Sequence, residues 1–274
     1  MNAANLGHES RSDQARVVAV STAALCAALL ISSALAALID TRTLNGVNVW
    51  LKPLKFQFSF ALHWVTIAWL LTRLASSKLV LGSTLWPLRI GGFAAVIEVL
   101  YITLQAARGR HSHFNFETSL ETILYYALMG GAAVMMMAAT AWIGWLVWRH
   151  PVDHRNTGFQ LGAVLGLLAG SVITLIVTAP LASGALAGPG HWVGGVRNDI
   201  AGLPIFGWST TGGDLRVPHF FAAHLLQALP VFGWLADRIF TKTSRAWVWG
   251  AFFFGIVMIV ATMLQAIQGK PFIS

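Results

Sequence analysis

Residues 16–39 read RVVAVSTAALCAALLISSALAALI, and this stretch decides the class of protein. No charged residue follows Arg16 within it. An α-helix rises about 1.5 Å per residue, so roughly 20 apolar residues cross the 30 Å hydrocarbon core of a bilayer. The stretch is also longer than the core of a signal peptide, which has about 7–15 residues. We therefore predict a membrane helix that is retained as an anchor.

Six more stretches of the chain have the same length and apolar character. We predict an all-α fold in which seven transmembrane helices form one bundle, with residues 1–274 as a single membrane domain. A connection of more than about 12–15 residues usually has a function of its own, so the long loop 183–216 is predicted to be an ordered cap. The six further spans are expected at about 53–74, 86–107, 120–148, 158–182, 217–236 and 245–268.

The composition excludes a soluble protein. Of the 274 residues, 56% are hydrophobic and only 10% are charged, whereas soluble domains average about 25% charged. The net charge of +8 comes from basic residues scattered over short connections, which indicates membrane topology and lipid headgroups and excludes nucleic acid as a partner. The one cysteine, Cys26, excludes disulfides within the chain and cysteine metal sites. Any metal site would therefore use carboxylates and some of the nine histidines.

The distribution of Lys and Arg predicts the orientation. Ten lie on the side that includes the N-terminus and eight on the other side. Because basic residues favour the cytoplasmic side, the N-terminus is predicted to be cytoplasmic and the C-terminus to lie outside a plasma (inner) membrane. The loops 108–118 and 183–216 would then both lie outside.

Two segments of the chain suggest an internal duplication. Span three ends with LQAARGR at 104–110 and span seven with LQAIQGK at 264–270, so both follow the pattern L-Q-A-x-x-G-basic. The separation between His63 and His224 along the chain is nearly the same as that between these two segments. The spacing favours three plus one plus three helices, in which span four links two parallel repeats. The alternative is chance, since helices commonly end with glycine and a basic residue.

Polar residues follow single faces of several spans. Ionisable groups inside a bilayer are costly and need a partner, a cavity or a function. Counted from the outer ends, His224 lies about 9 Å deep, Glu98 about 13 Å and His63 about 15 Å. We therefore predict a polar funnel with these three groups near its floor. The polar faces consist of Lys55, Ser59, His63 and Thr66; of Glu98, Tyr101, Gln105 and Arg108; of Glu117, Glu121 and Tyr125; of His224 and Gln227; and of Thr262 and Gln265.

Span five carries small residues instead. They recur every four positions, a pattern that lets a neighbouring backbone approach closely, so we predict a packing face. Its members are Gly162, Gly166, Gly170, Thr174 and Thr178.

The first functional hypothesis is a membrane-embedded enzyme. Two histidines from facing helices can ligate haem b, and basic residues at the mouth can pair with its propionates. His63 and His224 are the candidate ligands, and Lys55, Arg108 and Arg216 the candidate propionate partners. In a related version, His63, Glu98 and His224 bind a metal ion. Either centre would support redox or hydrolytic chemistry on a lipid-soluble or outer-side substrate, with Glu98, Tyr101 and Glu121 as candidate catalytic groups.

Two further hypotheses need no cofactor. A three-plus-one-plus-three repeat with a glutamate and a histidine inside the membrane is typical of a proton-coupled carrier of small molecules. Alternatively, the polar pocket belongs to a sensor or an accessory subunit. In each case, substrate contacts are expected from Gln105, His111, His113, Trp208, Asp214, His219, Gln227 and Gln265.

Overall fold

The described part of the chain is a helical bundle with very little β-structure. The computed structural model describes residues 3–74, 83–150, 157–186, 188, 190–200 and 202–273. Each of its seven long helices contains an apolar stretch long enough to cross a membrane, so the predicted all-α, seven-helix membrane fold is confirmed. The helices are α1 (Ala3–Ile39), α2 (Leu51–Leu74), α3 (Leu85–Ala107), α4 (Ser119–Arg149), α5 (Thr157–Ser183), α6 (Arg216–Ile239) and α7 (Ser244–Ile267).

Helices α4 and α5 each contain a wider π-helical turn. In α4 it spans Leu124–Gly130, and in α5 it spans Leu165–Ala169. The first turn of α4 is capped by Thr118, whose hydroxyl accepts a hydrogen bond from the Glu121 amide at 3.2 Å. Because π turns disturb the regular hydrogen bonding of a helix, they mark places where α4 and α5 can change shape.

A short hairpin precedes α2, and a pair of two-residue strands precedes α6. Strand β1 (Thr43–Leu44) pairs antiparallel with β2 (Val47–Asn48), and β3 (Trp192–Val193) with β4 (Gly213–Asp214). The second pair belongs to the cap loop between α5 and α6, of which positions 187, 189 and 201 lie outside the described residues. The β1–β2 hairpin, the α3–α4 connection, the cap loop and the C-terminal segment lie at one end of the bundle, which we call the cap side.

The helices pack as two sets of three. Helices α1, α2 and α3 all contact one another, and so do α5, α6 and α7. Helix α4 lies between the sets and packs on α3 and α5, while α2 and α6 meet across the middle. This arrangement is the one that the predicted three-plus-one-plus-three plan requires.

A buried glutamine joins the first set. Gln57 on α2 is fully buried, and its amide nitrogen donates to Ser33 on α1 at 2.8 Å and to Thr103 on α3 at 3.0 Å. Because lipid tails are as apolar as the helix surfaces, hydrogen bonds of this kind contribute to helix association in a membrane.

Close backbone contact joins the second set. A methyl group added at Gly162 of α5 would overlap the Leu229 carbonyl of α6, and one added at Gly166 would lie 2.9 Å from the Leu225 carbonyl oxygen. Asp237 near the end of α6 accepts hydrogen bonds from the first amides of α5, at Gly158 and Phe159. The predicted packing role of the glycine face of α5 is therefore confirmed.

The outward surface of the bundle is apolar. On α7, Phe253, Phe254 and Val257 each expose more than half of their area. Three large apolar side chains on one helix face would be unfavourable in water but suit a lipid environment.

Candidate functional site

The cap loop is docked on the first set of helices. The Asp199 amide donates to the Asn45 carbonyl at 3.0 Å, and Ile200 packs on Gly46 so closely that a methyl group there would overlap it. Asn45 and Gly46 both have positive φ, which the tight turn of the β1–β2 hairpin requires. Lys55 on α2 adds a hydrogen bond to the Phe206 carbonyl at 2.8 Å. The loop therefore connects the two sets across the cap side.

Arg216, at the start of α6, organises the cap loop from below. Its guanidinium donates to Asp214 at 2.7 Å, to Asp199 at 3.0 Å and to the Gly207 carbonyl at 2.6 Å. Asp214 is almost completely buried and also accepts from the Ser209 amide. Arg216 and Asp214 therefore stabilise the loop, and the arginine predicted to pair with a haem propionate already has protein partners.

His191 belongs to the same network. Its Nε2 lies 3.4 Å from Asp199 Oδ1. Burial lowers the pKa of His191, against the opposing effect of Asp199. Burial would raise the pKa of Asp199, but His191 and Arg216 outweigh it and hold that pKa below its ordinary value. Asp199 is therefore the anionic centre of the cap loop at neutral pH.

The other cations that were predicted to bind propionates also have protein partners. Lys55 donates to the Phe206 carbonyl, as described above, and Arg108 donates to Gln105 Oε1 at 2.8 Å. Neither interaction was foreseen from the sequence. Both residues fix loops of the protein in this structure.

Glu121 lies in an ion network at the cap side, at the start of α4, and not among the groups in the middle of the helices. Arg110 pairs with Glu121 at 3.0 Å and also with Glu117. The Glu121 carboxyl is buried, and the Thr118 hydroxyl lies 3.4 Å from it. The candidate catalytic Glu121 thus has a structural explanation as part of the helix cap and its ion pair.

Two histidines within the helices donate to threonines. The Thr140 hydroxyl donates its proton to the Met136 carbonyl, so it accepts from His63 Nε2 at 3.3 Å. The Thr178 hydroxyl likewise donates to the carbonyl one turn before it and accepts from His219 Nδ1 at 2.9 Å. Each imidazole therefore keeps one nitrogen as a free acceptor.

His224 shows the same arrangement with an amide. Its Nδ1 lies 3.3 Å from Gln227 Oε1, which can only accept, so His224 donates there and leaves Nε2 free. His224 is close enough to interact electrostatically with His63 and with His219. The structure therefore places the predicted pair His63 and His224 in one region, and it adds His219.

His113 reaches this region from the α3–α4 connection. Its ring lies 5.4 Å from Phe56 of α2 and 5.9 Å from Tyr125 of α4, measured between ring centroids, and Ser112 bonds its Nδ1 at 3.1 Å. Burial lowers the pKa of His113 well below its ordinary value, and Lys52 and His219 lower it further. His113 is therefore neutral at physiological pH.

His111 differs from His113 in what it contributes. Its backbone carbonyl accepts hydrogen bonds from Gln105 and from Asn115. Burial and the charge of Lys52 lower the pKa of its side chain, and Glu117 acts in the opposite direction. His111 therefore holds the connection in place, and its imidazole is also neutral near pH 7.

Glu98 is the most isolated polar group of the bundle. It is 5% exposed, and its Oε2 is buried without a hydrogen-bond partner among the described residues. Lys52, in the first turn of α2, acts on it electrostatically. Tyr101, one turn nearer the cap side, receives a hydrogen bond from Gln105 at 3.3 Å and has no contact with the glutamate.

The repeated glutamines at the ends of α3 and α7 have the same role. Gln105 Nε2 donates to the carbonyl of residue 111, and Gln265 Nε2 to that of residue 271. The backbone hydrogen bonds also match. Gly109 and Gly269 both have positive φ, and the amide of each donates to the carbonyl of the alanine three residues earlier. Both helices therefore end in the same Schellman-type turn, which supports the predicted duplication.

An aromatic cluster covers the second set at the cap side. Trp208 of the cap loop lies 4.4 Å from Phe206 and 5.3 Å from Phe220, measured between ring centroids. Phe220 in turn lies 4.2 Å from the His224 ring. Trp208 therefore does not contact His224 directly. Phe220 lies between the two rings, and Trp208 covers it from the cap side.

The predicted metal site does not fit the arrangement of donors. Within the described parts of the chain, no group of three or more His, Cys, Asp or Glu side chains is arranged to hold a metal ion. His63, Glu98 and His224 therefore do not form a three-ligand set here. His224 on α6 acts electrostatically on His63 on α2, whereas the charge that acts on Glu98 on α3 is that of Lys52.

Sequence reasoning missed four participants in this region. Lys52 lies one turn before Lys55 and extends the polar face of α2, so its spacing could have revealed it. Thr140 and Thr178 gave no signal, because threonine is common in membrane helices and bonds its own backbone. Asp199 gave none either, since its partners are distant in sequence.

Comparisons with known proteins give no relative. No family model, no curated protein and no solved structure matches the chain.

Proposed function

We propose that this protein is a proton-coupled carrier that moves a small molecule across the membrane. The observation that carries the proposal is the carboxyl of Glu98, which is buried on a membrane-spanning helix without a hydrogen-bond partner among the described residues, in a bundle that also contains three imidazoles with free acceptor nitrogens. Ionisable groups inside a membrane bundle are characteristic of proton relays and substrate paths.

The region contains acceptors for protons at several levels. His113 lies in the connection at the cap side, His219 and His224 on α6, and His63 deeper on α2. His113 is neutral at physiological pH. His63, His219 and His224 each donate from one ring nitrogen to a neighbouring side chain and keep the other nitrogen as an acceptor. A proton entering from the cap side can therefore meet several acceptors on its way into the bundle.

The architecture supports alternating access. His63 lies on α2 of the first set and His219 and His224 lie on α6 of the second set, and these two helices contact each other. In carriers built from repeats, substrate binds between the repeats, and one repeat moves against the other. The π turns of α4 and α5, and the prolines at 180 and 230 inside α5 and α6, interrupt regular helix bonding and provide places for such movement.

The chain's own groups suggest an order of events. The substrate and a proton enter from the cap side, where the connections are polar. Protonation neutralises Glu98, which removes the cost of moving a charge through the apolar half of the bundle. The two sets then reorient, and the proton leaves with the substrate on the opposite side.

A haem-bearing electron carrier is a second candidate. Imidazoles that ligate metals usually donate their other N–H to a neighbouring group, as His63, His219 and His224 do here. Haem would supply one-electron chemistry when bound between two of these rings. Against it, the three cations assigned to the propionates are bonded to Phe206, to Gln105 and to the cap loop.

Proton flux through reconstituted protein tests the proposal. The purified chain is reconstituted in liposomes that contain the pH dye pyranine, and carboxylates, amino acids, sugars and amines are added outside. We expect at least one class to change the internal pH in wild-type vesicles and not in Glu98→Gln vesicles. Asp13→Asn, at an exposed position on α1, serves as the control and should behave as wild type.

A visible spectrum of the same preparation separates the two candidates. If the protein is a carrier, we expect the spectrum of the purified protein to lack a Soret band. We also expect the preparation to show no redox activity that is independent of protons. A stoichiometric Soret band that disappears in His224→Ala, together with no proton flux for any compound class, would favour the haem candidate.

Orientation is tested separately. We propose that the cap side faces the outside of a plasma (inner) membrane, in line with the distribution of basic residues. In a Cys26→Ala background, cysteine at the exposed position Ile205 should react with an impermeant maleimide added to intact cells, and cysteine at Lys242 should not. The reverse pattern would invert the assignment.

A further inference from the structure

We infer that Lys52 binds the anionic group of the substrate, and that this substrate is a monocarboxylate with an apolar or aromatic body. The inference rests on the proposed function, and it adds the chemical class of the molecule that is carried.

Lys52 is the half-buried cation of the region that lacks a protein partner. No hydrogen bond or ion pair joins its ammonium group to another described residue. Lys55, Arg108, Arg110 and Arg216, by contrast, all bond to carbonyls, amides or carboxylates of the protein. A half-buried charge without a partner is costly, so a ligand that supplies the opposite charge is favoured.

The position of Lys52 makes it reachable from the polar region. It lies four residues before Phe56, so both side chains share one face of α2. Phe56 packs against Tyr101 and Ile102 of α3, and its ring contacts His113. Lys52 therefore lies in the first turn of α2, on the same helix face as an aromatic residue that packs on α3.

The surrounding charges favour a single negative charge on the ligand. Asp199 and Asp214 are occupied by Arg216, and His111 and His113 are neutral near pH 7. Lys52 thus offers one positive charge that no carboxylate of the described residues neutralises through an ion pair. A dianion such as phosphate would keep an unpaired charge in a site of low polarity, which a monocarboxylate avoids.

The rings beside Lys52 favour an apolar body. Phe56, His113 and Tyr125 form a row with centroid distances of 5.4 Å and 5.9 Å, and aromatic rings of this kind favour contact with aromatic or aliphatic groups. Glu98, one turn below Ile102, has no ion pair with Lys52 and stays available for the coupled proton.

Benzoate is a suitable probe, with benzamide as its uncharged counterpart. Binding to the purified full-length chain in detergent is measured by the shift of its unfolding temperature and by calorimetry. We expect benzoate to bind wild type and Lys52→Arg, and to bind Lys52→Met at least about tenfold more weakly, because the variant loses the charged hydrogen bond to the carboxylate. Lys270→Met, at an exposed position, should bind as wild type.

The outcomes are distinct from those of the flux assay. Equal binding of benzoate and benzamide, equal binding to wild type and Lys52→Met, or no binding of benzoate to wild type would overturn the inference. If benzoate binds through Lys52 but no compound moves protons, the carrier proposal fails and the carboxylate site stands. If uncharged compounds move protons and benzoate does not bind, the carrier proposal stands and the site fails.

Discussion

The two sets of three helices end alike but are held together differently. Helices α3 and α7 finish in the same turn, fixed by Gln105 and Gln265. Within the sets, however, Gln57 joins α1, α2 and α3 through hydrogen bonds, whereas Gly162 and Gly166 bring α5 directly onto α6.

Their cations differ as well. The guanidinium of Arg216, at the start of α6, donates hydrogen bonds to three different residues. The ammonium of Lys52, at the start of α2, donates to none of the described residues. The contrast distinguishes charges that build the protein from charges that are free to meet a ligand. Position on a helix does not reveal this difference; the partners do.

The largest effect is expected where α5 meets α6. Gly162→Leu would force the Leu229 carbonyl away, and because no hydrophobic effect drives helices together in lipid, the second set should fail to assemble. The measurement is the yield of monodisperse protein in detergent. Gly250→Leu on α7, where an added methyl group would have no neighbour within 4 Å beyond the backbone of its own helix, is the matched control and should give wild-type yield.

The next effect concerns the two cations. Arg216→Met leaves the buried Asp214 without its counter-charge and should lower the free energy of unfolding by about 3–5 kcal/mol. Lys52→Met removes no protein bond and should change stability by less than about 1 kcal/mol. Denaturant titration in mixed micelles measures both, and equal losses would remove the distinction drawn above.

A smaller effect is expected in the first set. Gln57→Leu removes the donor to Ser33 and Thr103, and the cost should be about 1–2 kcal/mol, as for polar contacts between membrane helices. The same titration measures it, with Gln268→Leu, at an exposed position, as the control. A loss as large as that of Arg216→Met would show that the first set depends on this one amide.

The smallest effect is a pH dependence from the cap side. The pKa of His113 is lowered in the folded protein, so the unfolded chain binds more protons below its ordinary pKa of about 6.5. This difference costs no stability above about pH 6.5. As the pH falls from there towards the lowered pKa of His113, the free energy of unfolding decreases by up to about 1.4 kcal/mol per pH unit. Unfolding temperatures between pH 7.5 and 5 should therefore fall less steeply in His113→Phe. An unchanged slope would assign the pH dependence to other groups.

The membrane fold could be predicted from the sequence because length and hydropathy determine which segments cross a bilayer. The glycine face of α5 was also foreseen, since its four-residue spacing is local. The polar region was foreseen only in part: the spacing on α2, α3 and α6 indicated His63, Glu98 and His224, but Lys52 and Asp199 act through partners far along the chain. Arg108, Arg216 and Glu121 were given ligand or catalytic roles because their protein partners could not be inferred from helix periodicity.

The docking of the cap loop on the β1–β2 hairpin has a consequence for how the protein opens. Its contact with the first set consists of the Asp199–Asn45 bond, the Ile200 side chain on Gly46 and the bond from Lys55. The loop base, in contrast, is fixed by the many bonds of Arg216. Local opening follows the least stabilised contacts, so the loop tip should separate from the hairpin before any helix moves. In amide hydrogen exchange, the Asp199 N–H should therefore exchange well before the Leu215 N–H, which is bonded to the His191 carbonyl within the loop itself.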